Sequence, residues 1–255
     1  MKIFTKLTLL GSLLTIGLGT TFATSTDELL ISSGGITATI TDSTSISTID
    51  QTCTGTGCYS LTNTTGILGD SNISAGTTTA AGTINGWLIT VTSGTSFSPS
   101  DIPFGLDISS LSATCIGGAS ACASSPLDIQ FSDQNFSPSN PAFVTQYSAT
   151  ISGPGSGSTS ESAYFSNSNN LFAEDTLIGT VGPFTTTNSG SASGGVGSIA
   201  PYSLTLDQVF TDTGSGDISF SVDGSVSSVP EPGAIVLLGS ILVLCAGIFR
   251  RRRLA

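Results

Sequence analysis

The chain contains no histidine, and all six of its basic residues sit at its ends: Lys2 and Lys6, then Arg250, Arg251, Arg252 and Arg253. Between Lys6 and Arg250 no side chain is cationic. A Ser-His-Asp or Cys-His centre has no base here, a Schiff base has no lysine, and a phosphoryl clamp has neither Arg nor Lys. Nucleic acid is excluded as a partner of the middle, because nothing there neutralises phosphate. Zinc would have to bind without imidazole. Charged residues are only 9% of the 255, and every carboxylate but Glu231 falls between Asp27 and Asp223, for a net charge of -11. No pattern calls for a cofactor.

What is present at the two ends reads as an address. Lys2 and Lys6 give the start its charge, residues 7–18 are apolar or small except for Thr8, Ser12 and Thr15, and Thr20, Thr21, Phe22 and Ala23 follow. A charged start, an apolar run of secretory length and a small-residue exit make residues 1–23 a signal peptide, cut by signal peptidase after Ala23. The run is shorter than the roughly 17 to 25 residues of a lasting span, and Gly11, Gly17 and Gly19 weaken it as a helix. At the other end Val229, Pro230, Glu231 and Pro232 precede residues 233–249, which are apolar or small except for Ser240. Arg250, Arg251, Arg252 and Arg253 close the run as a membrane stop. Prolines fix their own φ and push the preceding residue towards extended backbone, so the segment before the span stands clear of the bilayer. Cationic residues favour the cytoplasmic side, which leaves the acidic middle outside.

These three parts, Pro230-Glu231-Pro232, the apolar segment 234–249 and the run Arg250 to Arg253, resemble the PEP-CTERM sorting signal of Gram-negative bacteria that make extracellular polysaccharide. The resemblance is confined to residues 229–255. It implies recognition by exosortase, an integral-membrane cysteine transpeptidase that cuts near the Pro-Glu-Pro motif. It implies an inner-membrane precursor, then a product at the cell surface or in the extracellular matrix.

Cysteine usage fits an exported protein. Cys53 and Cys58 bracket one short loop of small residues, Cys115 and Cys122 another, and Cys245 lies within the apolar tail. Four cysteines allow three pairings; local bridges Cys53–Cys58 and Cys115–Cys122 are expected, since the intervening glycines let the chain turn back. Loops this short stabilise by roughly 2 kcal/mol each and staple turns.

Residues 24–228 are written in Ser, Thr, Gly, Asn and Asp with short apolar alternations. Ile36, Ala38 and Ile40 recur with period two, as do Trp87, Ile89 and Val91, then Leu127, Ile129 and Phe131. Phe143 to Ile151 continues the pattern, followed by Tyr202, Leu204, Leu206 and Phe210, then Ile218, Phe220 and Val222. Such runs between turn residues are strands with one buried face. The expected fold is all-β: a single sandwich of seven to ten strands, jelly-roll-like ahead of immunoglobulin-like, flanked by the signal helix and the transmembrane helix. The Gly/Ser-rich stretches 152–160 and 188–197 read as long surface loops.

Few residues are left for chemistry. Two carboxylates hydrolyse a glycosidic bond without histidine or lysine, but nothing in the spacing places any two of Glu161, Glu174 and Asp175 at the required separation. Asp212 and Asp217 flank a flexible turn and are weak calcium candidates, with a plain hairpin loop the better reading. Trp87 belongs to the core on its period-two neighbours. The function expected is that of a secreted, non-enzymatic surface or matrix protein. The rival reading is a carbohydrate-binding or adhesive module, calcium-assisted, with extracellular polysaccharide as its partner.

The tail generates a direct test. Changing Pro230, Glu231 and Pro232 to alanine lets helix extend outwards across the cleavage segment, since alanine is the best helix former. Export should continue while the full-length form accumulates in the inner membrane, seen by fractionation and intact mass. Wild-type protein recovered outside the cell with Arg250 to Arg253 still attached would overturn the sorting reading.

Overall fold

A computed structural model of the chain describes residues 27–41, 51–54, 77–97, 104–116, 122, 124–137, 141–195, 197, 200–214 and 216–229. The signal peptide, Cys58, Pro230, Glu231, Pro232 and the four arginines fall outside these residues.

Every regular element among the described residues is a strand. In chain order they are β1 (Glu28–Ser33), β2 (Ile36–Thr41), β3 (Gln51–Thr54), β4 (Thr77–Ile84), β5 (Trp87–Phe97), β6 (Gly105–Cys115) and β7 (Leu127–Phe136). Then come β8 (Ala142–Ser152), β9 (Gly157–Ser166), β10 (Thr176–Phe184), β11 (Asn188–Gly195), β12 (Tyr202–Asp212) and β13 (Ile218–Val229). They form a seven-stranded sheet of order β10-β9-β12-β7-β1-β2-β3 and a six-stranded sheet of order β11-β8-β13-β6-β5-β4, antiparallel throughout. From β6 onwards the chain crosses between the sheets at almost every connection, only β9 and β10 being neighbours in one sheet.

The period-two residues meet between the sheets. Phe210 of β12 packs on Phe220 of β13 with ring centroids 5.4 Å apart, and Phe143 of β8 meets Tyr202 of β12 edge-on at 6.5 Å. Trp87 is wholly buried against Phe220, and its indole N–H donates to the Ser125 carbonyl at 3.0 Å. Asn85 and Gly86 make the two-residue β4–β5 turn with φ of 46° and 85°, the left-handed pair that matches strand twist.

Two stretches read from sequence as loops are strands. Residues 157–160 open β9, and 188–195 form β11, which pairs with β8 without a register break from Asn188↔Ala149 to Gly195↔Ala142. Strand β11 is an edge with mostly exposed side chains, so it needs no apolar alternation. Its backbone hydrogen bonds hold it, and Ser and Gly hide the pattern.

The outer faces of the two sheets differ. Across the seven-stranded sheet lies the segment 167–175. Phe172 N–H donates to Ser132 Oγ at 3.0 Å, Ser203 Oγ donates to the Asn170 carbonyl at 2.6 Å, and Gln130 Nε2 donates to Glu174 Oε1 at 2.6 Å. The corresponding face of the six-stranded sheet carries a groove.

Cys115 and Cys122 form the expected local disulfide, with both cysteines buried; Cys53 lies in β3 and its expected partner Cys58 is not among the described residues. With both local bridges closed and Cys245 removed with the tail, thiol labelling of the denatured, unreduced exported protein should find no free thiol. One mole of label per mole of protein, or a peptide joining Cys53 to Cys115 or Cys122, would refute that pairing.

Candidate functional site

Outward positions of four neighbouring strands, β11, β8, β13 and β6, build the groove. Strand alternation sends Phe143, Thr145, Tyr147 and Ala149 of β8 inwards, which leaves Gln146 and Ser148 outside. Register then aligns polar residues in rows across the sheet. Ser191, Gln146, Ser225 and Asp107 face one another in sequence across the four strands. Two residues along, Ser189, Ser148 and Asp223 make a second row. At about 4.8 Å between strands, the first row runs roughly 15 Å and the second about 10 Å. The cavity between them has a volume of about 450 Å³ and is lined by these residues together with Tyr147, Gly190 and Gly224.

Two carboxylates give the groove its charge. Burial raises the Asp107 pKa above the ordinary carboxylate value, and the neighbouring Asp223 raises it further, against a hydrogen bond with Ser109. No lining residue is cationic.

Beneath the groove floor, inside the sandwich, lies a polar island. Glu161 of β9 is completely buried. Its Oε1 accepts from Thr145 Oγ1 at 2.8 Å, and its Oε2 accepts from Gln208 Nε2 at 2.8 Å. Tyr147 hydrogen-bonds Thr159 beside it. The carboxyl occupies space that a side chain at Gly224 would need: a methyl group there would collide with Glu161 Oε2 and with Gln208 Nε2. Strand β13 shifts register against β6 between Val222 and Gly224 at this point. Burial pushes the Glu161 pKa from 4.5 up to about 8; the bonds from Gln208 and Thr145 oppose the rise, and Asp107 and Asp223 add to it. A neutral carboxyl must donate its proton. The buried Oε1 of Gln208 has no partner as placed, and turning that amide end for end makes it the acceptor.

The acidic residues singled out from sequence are thereby placed. Glu161 lies in the interior, while Glu174 accepts from Gln130 on the outer side of the other sheet, so the fold separates them. Near Glu174 the carboxyls of Asp128 and Asp207 share a hydrogen bond; burial raises both pKa values, and the Asp128 neighbour raises that of Asp207 further. Asp212 is buried and caps its own turn, accepting from Gly214 N–H at 3.0 Å, whereas Asp217 is exposed. Val229 is the last residue of β13 and is exposed.

Sequence reading passed over Asp107, Asp223, Gln146 and the serines of the two rows. Their signal was the off-beat of the same strands that gave the core. What makes them a site is the neighbour order of strands far apart in sequence, and no local pattern carries that.

No family model matches the chain, and no curated protein matches it. Among solved structures, the enzymatically active domain of tailspike protein 4 of bacteriophage CBA120 is 15% identical, with a TM-score of 0.31, over 56% of this chain and 19% of its own. An endo-1,4-β-D-xylanase of Clostridium thermocellum, complexed with xylohexaose, is 14% identical, with a TM-score of 0.27, over 58% of this chain and 27% of its own. The carbohydrate-binding module TmCBM61, in complex with β-1,4-galactotriose, is 10% identical, with a TM-score of 0.23, over 55% of this chain and 86% of its own. The chain thus spans well under half the length of the first two. Likeness at these scores carries nothing about what this chain binds.

The Glu161 island makes stability depend on pH in a defined direction. The unfolded chain releases this proton near 4.5 and the folded chain near 8. The stability it contributes is therefore complete below about 4.5 and drains as pH rises towards 8, at up to about 1.4 kcal/mol per pH unit. Glu161→Gln keeps the shape and removes the titration. Urea unfolding at pH 4.5, 6 and 8 should show the wild type losing stability relative to Glu161→Gln as pH rises; parallel profiles would refute the buried neutral carboxyl.

Proposed function

We propose that the chain is an exported, non-enzymatic surface or matrix protein whose sandwich holds saccharide in the groove of the six-stranded sheet. Its tail, 229–255, is read as a PEP-CTERM-like sorting signal. The observation that carries the binding reading is the groove itself. A cavity of about 450 Å³ falls in the size range of ligand sites. Its two rows supply carboxylates, one amide and several hydroxyls, the complement that vicinal sugar hydroxyls require. Gln146, Ser148, Asp223, Ser225 and Asp107 stand on strands β8, β13 and β6, which are paired on both sides, so these donors and acceptors are held by backbone ladders.

The strand order of β6 to β13 supports the jelly-roll form of the sandwich: β11-β8-β13-β6 opposes β10-β9-β12-β7, with β1 to β5 extending both sheets beyond β7 and β6. The non-enzymatic reading is supported by the burial of Glu161, which removes that carboxyl from contact with a polymer in solvent. For sorting, the support is the tail's own sequence together with the end of β13 at Val229. A cut near Pro230-Glu231-Pro232 leaves the described strands β1 to β13 intact.

The test is retention of the full-length chain on immobilised extracellular polysaccharide. Wild type should bind saturably, and the paired change Gln146→Ala with Ser148→Ala should weaken binding at least tenfold with an unchanged circular dichroism spectrum and Tm. Retention should survive a calcium chelator. Loss of binding in chelator would favour the calcium-assisted rival, and equal binding by the variant would move the site elsewhere.

A further inference from the structure

We infer that the saccharide held in the groove is cationic: an oligomer or polymer of hexosamine units bearing free amino groups. This deepens the reading of the groove as a saccharide site and rests on it. The groove carries Asp107 and Asp223, on β6 and β13, close enough for the charge of one to act on the other, and no cation lines the cavity. The described residues offer no compensating charge from elsewhere, since the chain has no Lys, Arg or His between Lys6 and Arg250. Two carboxylates that repel each other at the wall of a cavity are stabilised by a ligand that brings the opposite charge.

The chemistry of the lining separates the possible cations. Calcium takes six to eight oxygen ligands and favours several carboxylates around one point. Among the described residues, the group of three or more potential ligands within sharing distance is Cys115, Cys122 and Asp212, away from the groove and with both sulfurs in the disulfide. An ammonium asks for less: it has one charge and three N–H donors. Asp107, Asp223 and one neighbouring oxygen, from Ser225 or the Gln146 amide, meet that need. Ser148, Ser189 and Ser191 then remain for ring hydroxyls. An anionic polysaccharide meets the opposite situation, two groove carboxylates within a chain of net charge -11.

The full-length chain should be titrated calorimetrically with two hexamers of the same backbone, fully deacetylated β-1,4-glucosamine and its N-acetylated form, at low and at moderate salt. The deacetylated hexamer should bind at least tenfold more tightly, and salt should weaken it selectively. Asp107→Asn with Asp223→Asn should abolish this preference, bringing the affinities of the two hexamers within twofold of each other. Asp217→Asn, an exposed carboxylate outside the groove, should change neither, and Tm should verify folding of each variant. Equal or tighter binding of the acetylated form, or a preference that survives the double change, would overturn the cationic ligand while leaving a saccharide groove in place. Binding of neither hexamer in the millimolar range would overturn the cationic ligand, and retention of the wild-type chain on native polysaccharide would then decide whether the groove reading stands.

Discussion

Both sheets of this sandwich are fastened at one point by a carboxyl group. Glu161 reaches from the seven-stranded sheet to Thr145 on the opposing sheet, keeps Gln208 beside it, and fills the space left by Gly224. An apolar core tolerates many relative placements of two sheets, because dispersion and burial have little direction. Hydrogen bonds between buried groups have direction, and an unmade one inside a protein is costly. The island therefore fixes how β9 and β12 lie over β8 and β13. That placement in turn sets the floor on which the outer rows stand.

This coupling runs through β13. One side of the strand at Gly224 receives the Glu161 carboxyl, and the other side belongs to the groove. Asp107 and Asp223 act on Glu161 from across the sheet and raise its pKa, and Asp223 raises that of Asp107 as well. Interior and exterior of the six-stranded sheet are thus one electrostatic unit separated by a single layer of backbone.

The sequence made the core legible and left the site dark. Trp87, Phe131, Phe143, Tyr202 and Phe220 announce buried faces because bulky apolar residues repeat with the strand period, and all five are buried. Strand β11 was invisible: Asn-Ser-Gly-Ser-Ala-Ser-Gly-Gly has the composition of a loop, and its partner β8 lies some 40 residues away. Glu161 sits in a run of serines whose composition says surface, while its surroundings come from β8, β12 and β13. Asp107 and Asp223 become neighbours only when β6 and β13 pair. Local period reports which face of a strand is buried; which strands are adjacent is a property of the closed topology.

The position of β13 in chain and sheet has a consequence in time. It is the last of the described strands in sequence, yet it lies between β8 and β6, with hydrogen-bonded partners on both sides. Until it arrives, β11-β8 and β6-β5-β4 are two fragments with open inner edges, and the groove does not exist even in outline. The six-stranded sheet, and with it the groove, is complete only when residues 218–229 have joined it, so of the described strands the one that closes the sheet is the one the chain supplies last.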